Sequence, residues 1–366
     1  MPPLEAWEKV LVSADFVNST HGTLGCRTCH GGQEGILEKE AAHKGVVVDP
    51  SAGDASVCQS CHAETVAAVQ NSLHATQNGC FTAFAARSGE SADDPTFQNM
   101  FNSRCVCCHG TCGQCHVSRP VAVGGGLTHG HEFRRTPSQM QNCTACHGSR
   151  IGDEFQGRNE GVANDVHYCE GMDCMSCHDA TEWHGDGTTP THRYANDAGP
   201  SCTNCHPDAD SPTADLAWHS EHAGLVACQV CHSGAYKNCY SCHVEQDQQG
   251  LRFASQLDFR IGRNPAPSAN RPYSYVVLRH VPIAPDTFRP WGIELPNYTD
   301  EPTWRLATPH NIQRNTPQTE SCDTCHGNLD LFLTPAYLAK LVQQGLMVPE
   351  EIEANETVVV RERGHH

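Results

Sequence analysis

Twenty of the chain's 23 cysteines stand in ten copies of one pattern, Cys-x-x-Cys-His. In order these are Cys26, Cys29, His30; Cys58, Cys61, His62; Cys105, Cys108, His109; Cys112, Cys115, His116; and Cys143, Cys146, His147. The second five are Cys174, Cys177, His178; Cys202, Cys205, His206; Cys228, Cys231, His232; Cys239, Cys242, His243; and Cys322, Cys325, His326. Two thiols at this spacing can each add across a vinyl group of one porphyrin, and the histidine that follows then lies under the iron as an axial ligand. Structural zinc also uses Cys-x-x-Cys, but it needs four ligands from two half-sites with varied endings, whereas all ten copies here end alike. Disulfide frameworks need no following histidine, and half-cystines three apart do not ordinarily bond each other. The chemistry this pattern fits is covalent attachment of ten haems c.

Two stretches carry the pattern twice, CVCCHGTCGQCH (Cys105 to His116) and CQVCHSGAYKNCYSCH (Cys228 to His243). Attachment points so close force neighbouring porphyrins into near contact. On these motifs the chain resembles the multihaem c-type cytochromes, exported electron-transfer proteins of anaerobic and extracellular respiration, over residues 21 to 326. The resemblance implies a coil-rich chain with short α-helices and a few short β-strands wrapped round a row of haems. It implies conduction of electrons between other redox proteins or cytochromes acting as donor and acceptor, in the periplasm or outside the cell. Some relatives polymerise into haem-lined filaments, and a homo-oligomer or filament is a variant of this expectation.

A weaker likeness runs to octahaem tetrathionate reductases and hydroxylamine-oxidising enzymes, which implies the alternative of a reductase or oxidase of small nitrogen or sulfur oxyanions with one open haem. Such enzymes commonly give the active haem a lysine ligand. Here no Cys-x-x-Cys-Lys occurs, and the only lysines are Lys9, Lys39, Lys44, Lys237 and Lys340. The odd set Cys80, Cys107 and Cys169 leaves at least one thiol outside any disulfide.

Each iron has a second axial position. Of the 24 histidines, ten stand in motifs and the final two close the chain, which leaves twelve for ten vacancies. The expected second ligands are His21, His43, His74, His131, His167, His184, His192, His222, His280 and His310, with His129 and His219 in reserve. With six methionines, Met1 among them, methionine ligation is minor. Bis-histidine pairing predicts low reduction potentials, because methionine favours reduced iron.

What must position these groups is an unusual chain. Ten haems over 366 residues leave about 37 residues each, and only 38% of residues are apolar while 31 glycines and 22 prolines interrupt periodic patterns. The porphyrins are therefore expected to be the core, and the apo chain is expected not to fold. A net charge of -18 argues against nucleic acid as a partner and suits basic docking partners or plain solubility. No run of eighteen apolar residues predicts a membrane span. Met1 to Phe16 has no signal-peptide pattern, so for an exported protein the leader is expected to lie outside this numbering.

Three regions are expected: residues 1–250 with nine haems, a haem-free Pro-rich insert at 251–320 with short strands, and 321–366 with the tenth haem and a C-terminal helix. The apolar spacing of Leu4, Trp7, Val10 and Leu11 suggests an amphipathic helix, Ala63 to His74 suggests another, and Tyr273 to Ile283 reads as a strand. Thr334, Pro335 and Gly345 bracket a helix as cap, first residue and stop, and Thr357 to Val360 reads as a short closing strand.

Overall fold

The computed structural model describes residues 4–104, 110–195, 198–238 and 256–361. The motifs Cys105–Cys108–His109 and Cys239–Cys242–His243, together with Cys107, lie outside the described residues. The described chain is mostly coil, with short helices and a few short strands, and none of its helices is long and apolar enough to cross a membrane. It divides into two compact units: Met1–Asn78 with Val106–Gly148 and Asp173–Pro190, and Gly79–Cys105 with Ser149–Met172 and Thr191–His366.

The first unit is built from the motifs themselves. Its helices include Cys26–His30, Ser56–Val69, Cys112–His116, Thr144–His147 and Cys174–Cys177. Each is one or a few turns long because the pattern needs only one turn: positions i and i+3 share a helix face, which sets both thiols side by side. Gly25 (φ 81°) and Gly31 (φ 69°) bracket the first of these turns in conformations that side-chain-bearing residues avoid. Few apolar side chains are buried here. Phe16, Ala55, Val66 and Val117 are the buried hydrophobic residues described in this unit.

The second unit has a conventional core. Strands β1 (Tyr236–Lys237) and β2 (Leu257–Asp258) pair antiparallel, and β3 (Ile261–Arg263), β4 (Tyr275–His280) and β5 (Trp304–Leu306) form an antiparallel sheet with β4 central. Val276, Val277 and Leu278 of β4 are all buried, so both faces of the strand are covered. The motif helix Cys228–His232 packs against β4 and sends Val230 into the same core, while Leu333, Leu338 and Val358 complete it. A second cluster joins Phe97, Met100 and Phe101 to Phe288, Ile293, Leu295 and Tyr298. The expected haem-free insert thus supplies much of a core shared with the eighth motif.

Local expectations fare unevenly. The helix Pro335–Gln343 forms with Thr334 as its cap, whose Oγ1 accepts from the Tyr337 N–H at 3.1 Å. The amphipathic N-terminal helix does not form: Trp7, Val10 and Leu11 are exposed with no surface to bury against, and the first helix is the single turn Ala14–Val17. The expected helix at 63–74 forms in part: the helix Ser56–Val69 begins ahead of the second motif, leaves helical geometry at His62 (φ -117°, ψ 41°) and resumes to end at Val69, after which Ser72 caps a separate turn, Leu73–Thr76. Residues 357–360 make no strand. They hydrogen-bond singly to two different neighbours, Val358 O from Arg263 and Val360 N to Leu333 O.

Candidate haem-ligand site

Seven of the described motif histidines each face a second histidine within the same unit. In the first unit the ring centroids of His62 and His21 are 6.2 Å apart, those of His30 and His131 5.9 Å, those of His147 and His74 6.2 Å, and those of His116 and His184 6.2 Å. In the second unit His206 and His167 are 6.3 Å apart, His232 and His219 6.0 Å, and His326 and His222 5.9 Å. A ring nitrogen about 2 Å from a metal puts the ring centroid about 3 Å from it, so two imidazoles on opposite sides of one metal have centroids about 6 Å apart. All seven separations are compatible with that distance; rings in plain contact, such as Phe97 and Phe101 at 6.0 Å, span the same range, so it is the recurrence of one motif histidine with one histidine outside the motifs that marks the set.

The ring orientations are fixed from behind. The Nδ1–H of His30 donates to Val47 O at 2.7 Å, that of His116 to Arg134 O at 2.5 Å, that of His232 to Gln313 O at 3.0 Å and that of His222 to Trp218 O at 2.7 Å. A carbonyl only accepts, so Nδ1 carries the proton and Nε2 keeps its lone pair for a metal. This is the arrangement that orients histidine ligands in metal proteins.

The thiols of different motifs also meet. Cys58 hydrogen-bonds Cys112, Cys143 hydrogen-bonds Cys174, and Cys202 hydrogen-bonds Cys228. Burial pushes the Cys115 thiol up to about 11. The residues present therefore fit haem c: pairs of thiols three residues apart, and beside seven motif histidines a second imidazole.

One short helix, Ala180–His184, serves three of these places with consecutive side chains. Glu182 Oε2 accepts from His178 Nδ1 at 2.5 Å, Trp183 packs between His74 and His178 with 5.0 Å to each ring centroid, and His184 faces His116. Asp179 caps it, accepting from the Thr181 and Glu182 N–H groups at 2.9 and 3.0 Å.

His43, His129, His192, His280 and His310 join none of the seven pairs. His43 Nδ1 donates to Lys39 O, and His310 Nδ1 to Thr308 O. His192 Nδ1 accepts from the Tyr194 N–H, and His129 Nε2 bonds Gln141 Oε1. His280 is turned into the core instead: its Nε2 meets Glu351 Oε2 at 2.7 Å, its ring stacks on Trp304, and Thr303 Oγ1 donates to the same carboxylate oxygen at 2.6 Å. The nitrogen a haem would need is committed to a buried carboxylate. Conversely His219, held in reserve by sequence reasoning, faces His232. Glu182 was not singled out from the sequence at all, though its i+4 spacing from His178 is a readable signal. Of the thiols outside motifs, Cys80 and Cys169 are free and exposed.

Comparison of the chain with protein-family profiles, with curated proteins and with solved structures finds no match in any of the three.

Proposed function

We propose that the chain is a decahaem c-type cytochrome that conducts electrons through closely packed, bis-histidine, low-potential haems outside the cytoplasm. The observation that carries this is the set of seven imidazole pairs, each bringing one motif histidine beside one histidine outside the motifs at a ring separation that a shared iron could occupy. Bound haem supplies one-electron exchange at iron. The twenty motif cysteines would hold the porphyrins through thioethers, and the motif histidines with His21, His74, His131, His167, His184, His219 and His222 would take both axial positions at seven of them. Filling both positions excludes a substrate from those irons and favours conduction over catalysis. It also favours the ferric state, hence low potential.

The touching thiols support a row of neighbours in each unit: the second motif beside the fourth and the fifth beside the sixth in one, the seventh beside the eighth in the other. Redox proteins would be the partners, and the acidic charge suits basic ones.

Protein produced with haem-attachment machinery tests the proposal. Mass spectrometry should find ten covalent haems, the ferric spectrum should be dominated by low-spin signal, and most haems should titrate below zero relative to the hydrogen electrode. A chain matured in this way that carries no haem, or whose haems titrate mostly well above zero, refutes it.

A further inference from the structure

Two of the motif sites differ, in what stands behind a histidine, from the four others whose anchors are described. At the sixth motif, His178 gives its Nδ1–H to the carboxylate of Glu182 at 2.5 Å, and both side chains are largely covered, at 22% and 14% exposure. At the seventh, the second ligand His167 gives its Nδ1–H to Asp165 Oδ1 at 2.8 Å, and that carboxylate is 4% exposed. The carboxylate of Asp165 is itself fixed, since Oδ1 also accepts from the His167 N–H and Oδ2 from the Ile312 N–H, both at 2.8 Å. The first, fourth, eighth and tenth motif sites use neutral carbonyls instead, through His30, His116, His232 and His222.

A carboxylate behind an imidazole makes the ligand a stronger donor and places a negative charge near the iron. Ferric haem carries one more positive charge than ferrous haem, so both effects stabilise the ferric form, and partial burial weakens their screening by water. We propose that Glu182 and Asp165 set the sites of the sixth and seventh motifs at the lowest reduction potentials among the sites whose histidine anchors are described, making them the stations that electrons occupy least. This rests on the haem reading above. Glu182 and Asp165 act through a ligand and are positioning residues, not catalytic ones.

The test uses full-length, haem-loaded protein titrated against an electrode while the visible spectrum is followed. Glu182→Gln keeps the size of the side chain and removes its charge, and Glu182→Asp keeps a carboxylate. Asp165→Asn does the same at the second place, and Glu294→Gln, an exposed carboxylate beside Arg289, controls for net charge. With E182Q, about one haem equivalent in ten should leave the most negative end of the curve. Its ferric-to-ferrous ratio at a fixed potential there should fall tenfold or more, a rise of 59 mV for one electron. E182D should lie between E182Q and the wild type, D165N should move a second equivalent, and E294Q should leave the curve in place. Ten bound haems with an E182Q curve that overlays the wild type, or that moves only at its positive end, overturn the inference and leave the haem reading standing. A chain without haem fails the earlier reading first.

Discussion

His219 and His222 make the sharpest case for reading ligands from geometry. They lie three apart on the helix Ala217–His222 and so share one face, yet their rings reach different motif histidines, His232 at 6.0 Å and His326 at 5.9 Å. If each closes its own iron, His219→Ala and His222→Ala each open one axial position out of ten, and the double variant opens two. The thioethers are untouched, so haem content by mass stays at ten. In the reduced proteins, carbon monoxide titrated into a sealed cuvette should bind one additional equivalent per chain in each single variant and two in the double, relative to wild type. The ferric proteins should show a matching high-spin band of about one tenth and two tenths of the haem. Were one histidine a spare, the double variant would bind no more than one of the singles; that equality, or a single variant indistinguishable from wild type, would refute the pairing.

Other expectations follow from the same geometry. His280→Ala should leave the haem spectrum unchanged but destabilise the second unit by about 3–5 kcal/mol in chemical denaturation, because it strands the buried Glu351 carboxylate. Gly262→Ala should cost about 1–3 kcal/mol, since a Cβ there would stand 2.2 Å from Leu278 Cδ1 and 2.8 Å from Val358 O; a variant as stable as wild type would show that the strand has room. Chain made without haem should be cut first by trypsin or a broad protease within the first unit, whose few buried apolar residues cannot offset chain entropy, while the sheet-bearing core of the second persists longer. Equal cleavage rates would count against that division.

The ten motifs were legible because thioether chemistry demands its residues within five positions, and a demand that local is written in the sequence. The helix from Pro335 was legible for the same reason, since cap, first residue and stop are neighbours of the helix. The histidine pairings were not, because most of them join separate segments of the chain. A count of twelve histidines for ten places could not reveal that Glu351, some seventy residues on, claims His280, or that His219 and His222 face two different motif histidines. The strand at Tyr275–His280 was readable from its β-branched run, but its place in a core with Val230 and Leu333 depends on contacts no local pattern carries. The N-terminal apolar spacing misled because periodicity makes a helix only when a surface waits to cover the stripe.

Pairing across distance has a mechanical consequence. His30 and His131 stand about a hundred residues apart, and His74 and His147 about seventy. A metal joining such residues is a cross-link, and closing a loop of about a hundred residues removes on the order of 4–5 kcal/mol of disorder from the unfolded chain in the loop-entropy account of disulfides. In the haem-loaded protein proposed above, several overlapping loops would be closed in this way, and a single protease cut in the exposed coil would leave the pieces tied together through iron. The first unit, with its few buried apolar residues, would then owe its durability to being stitched.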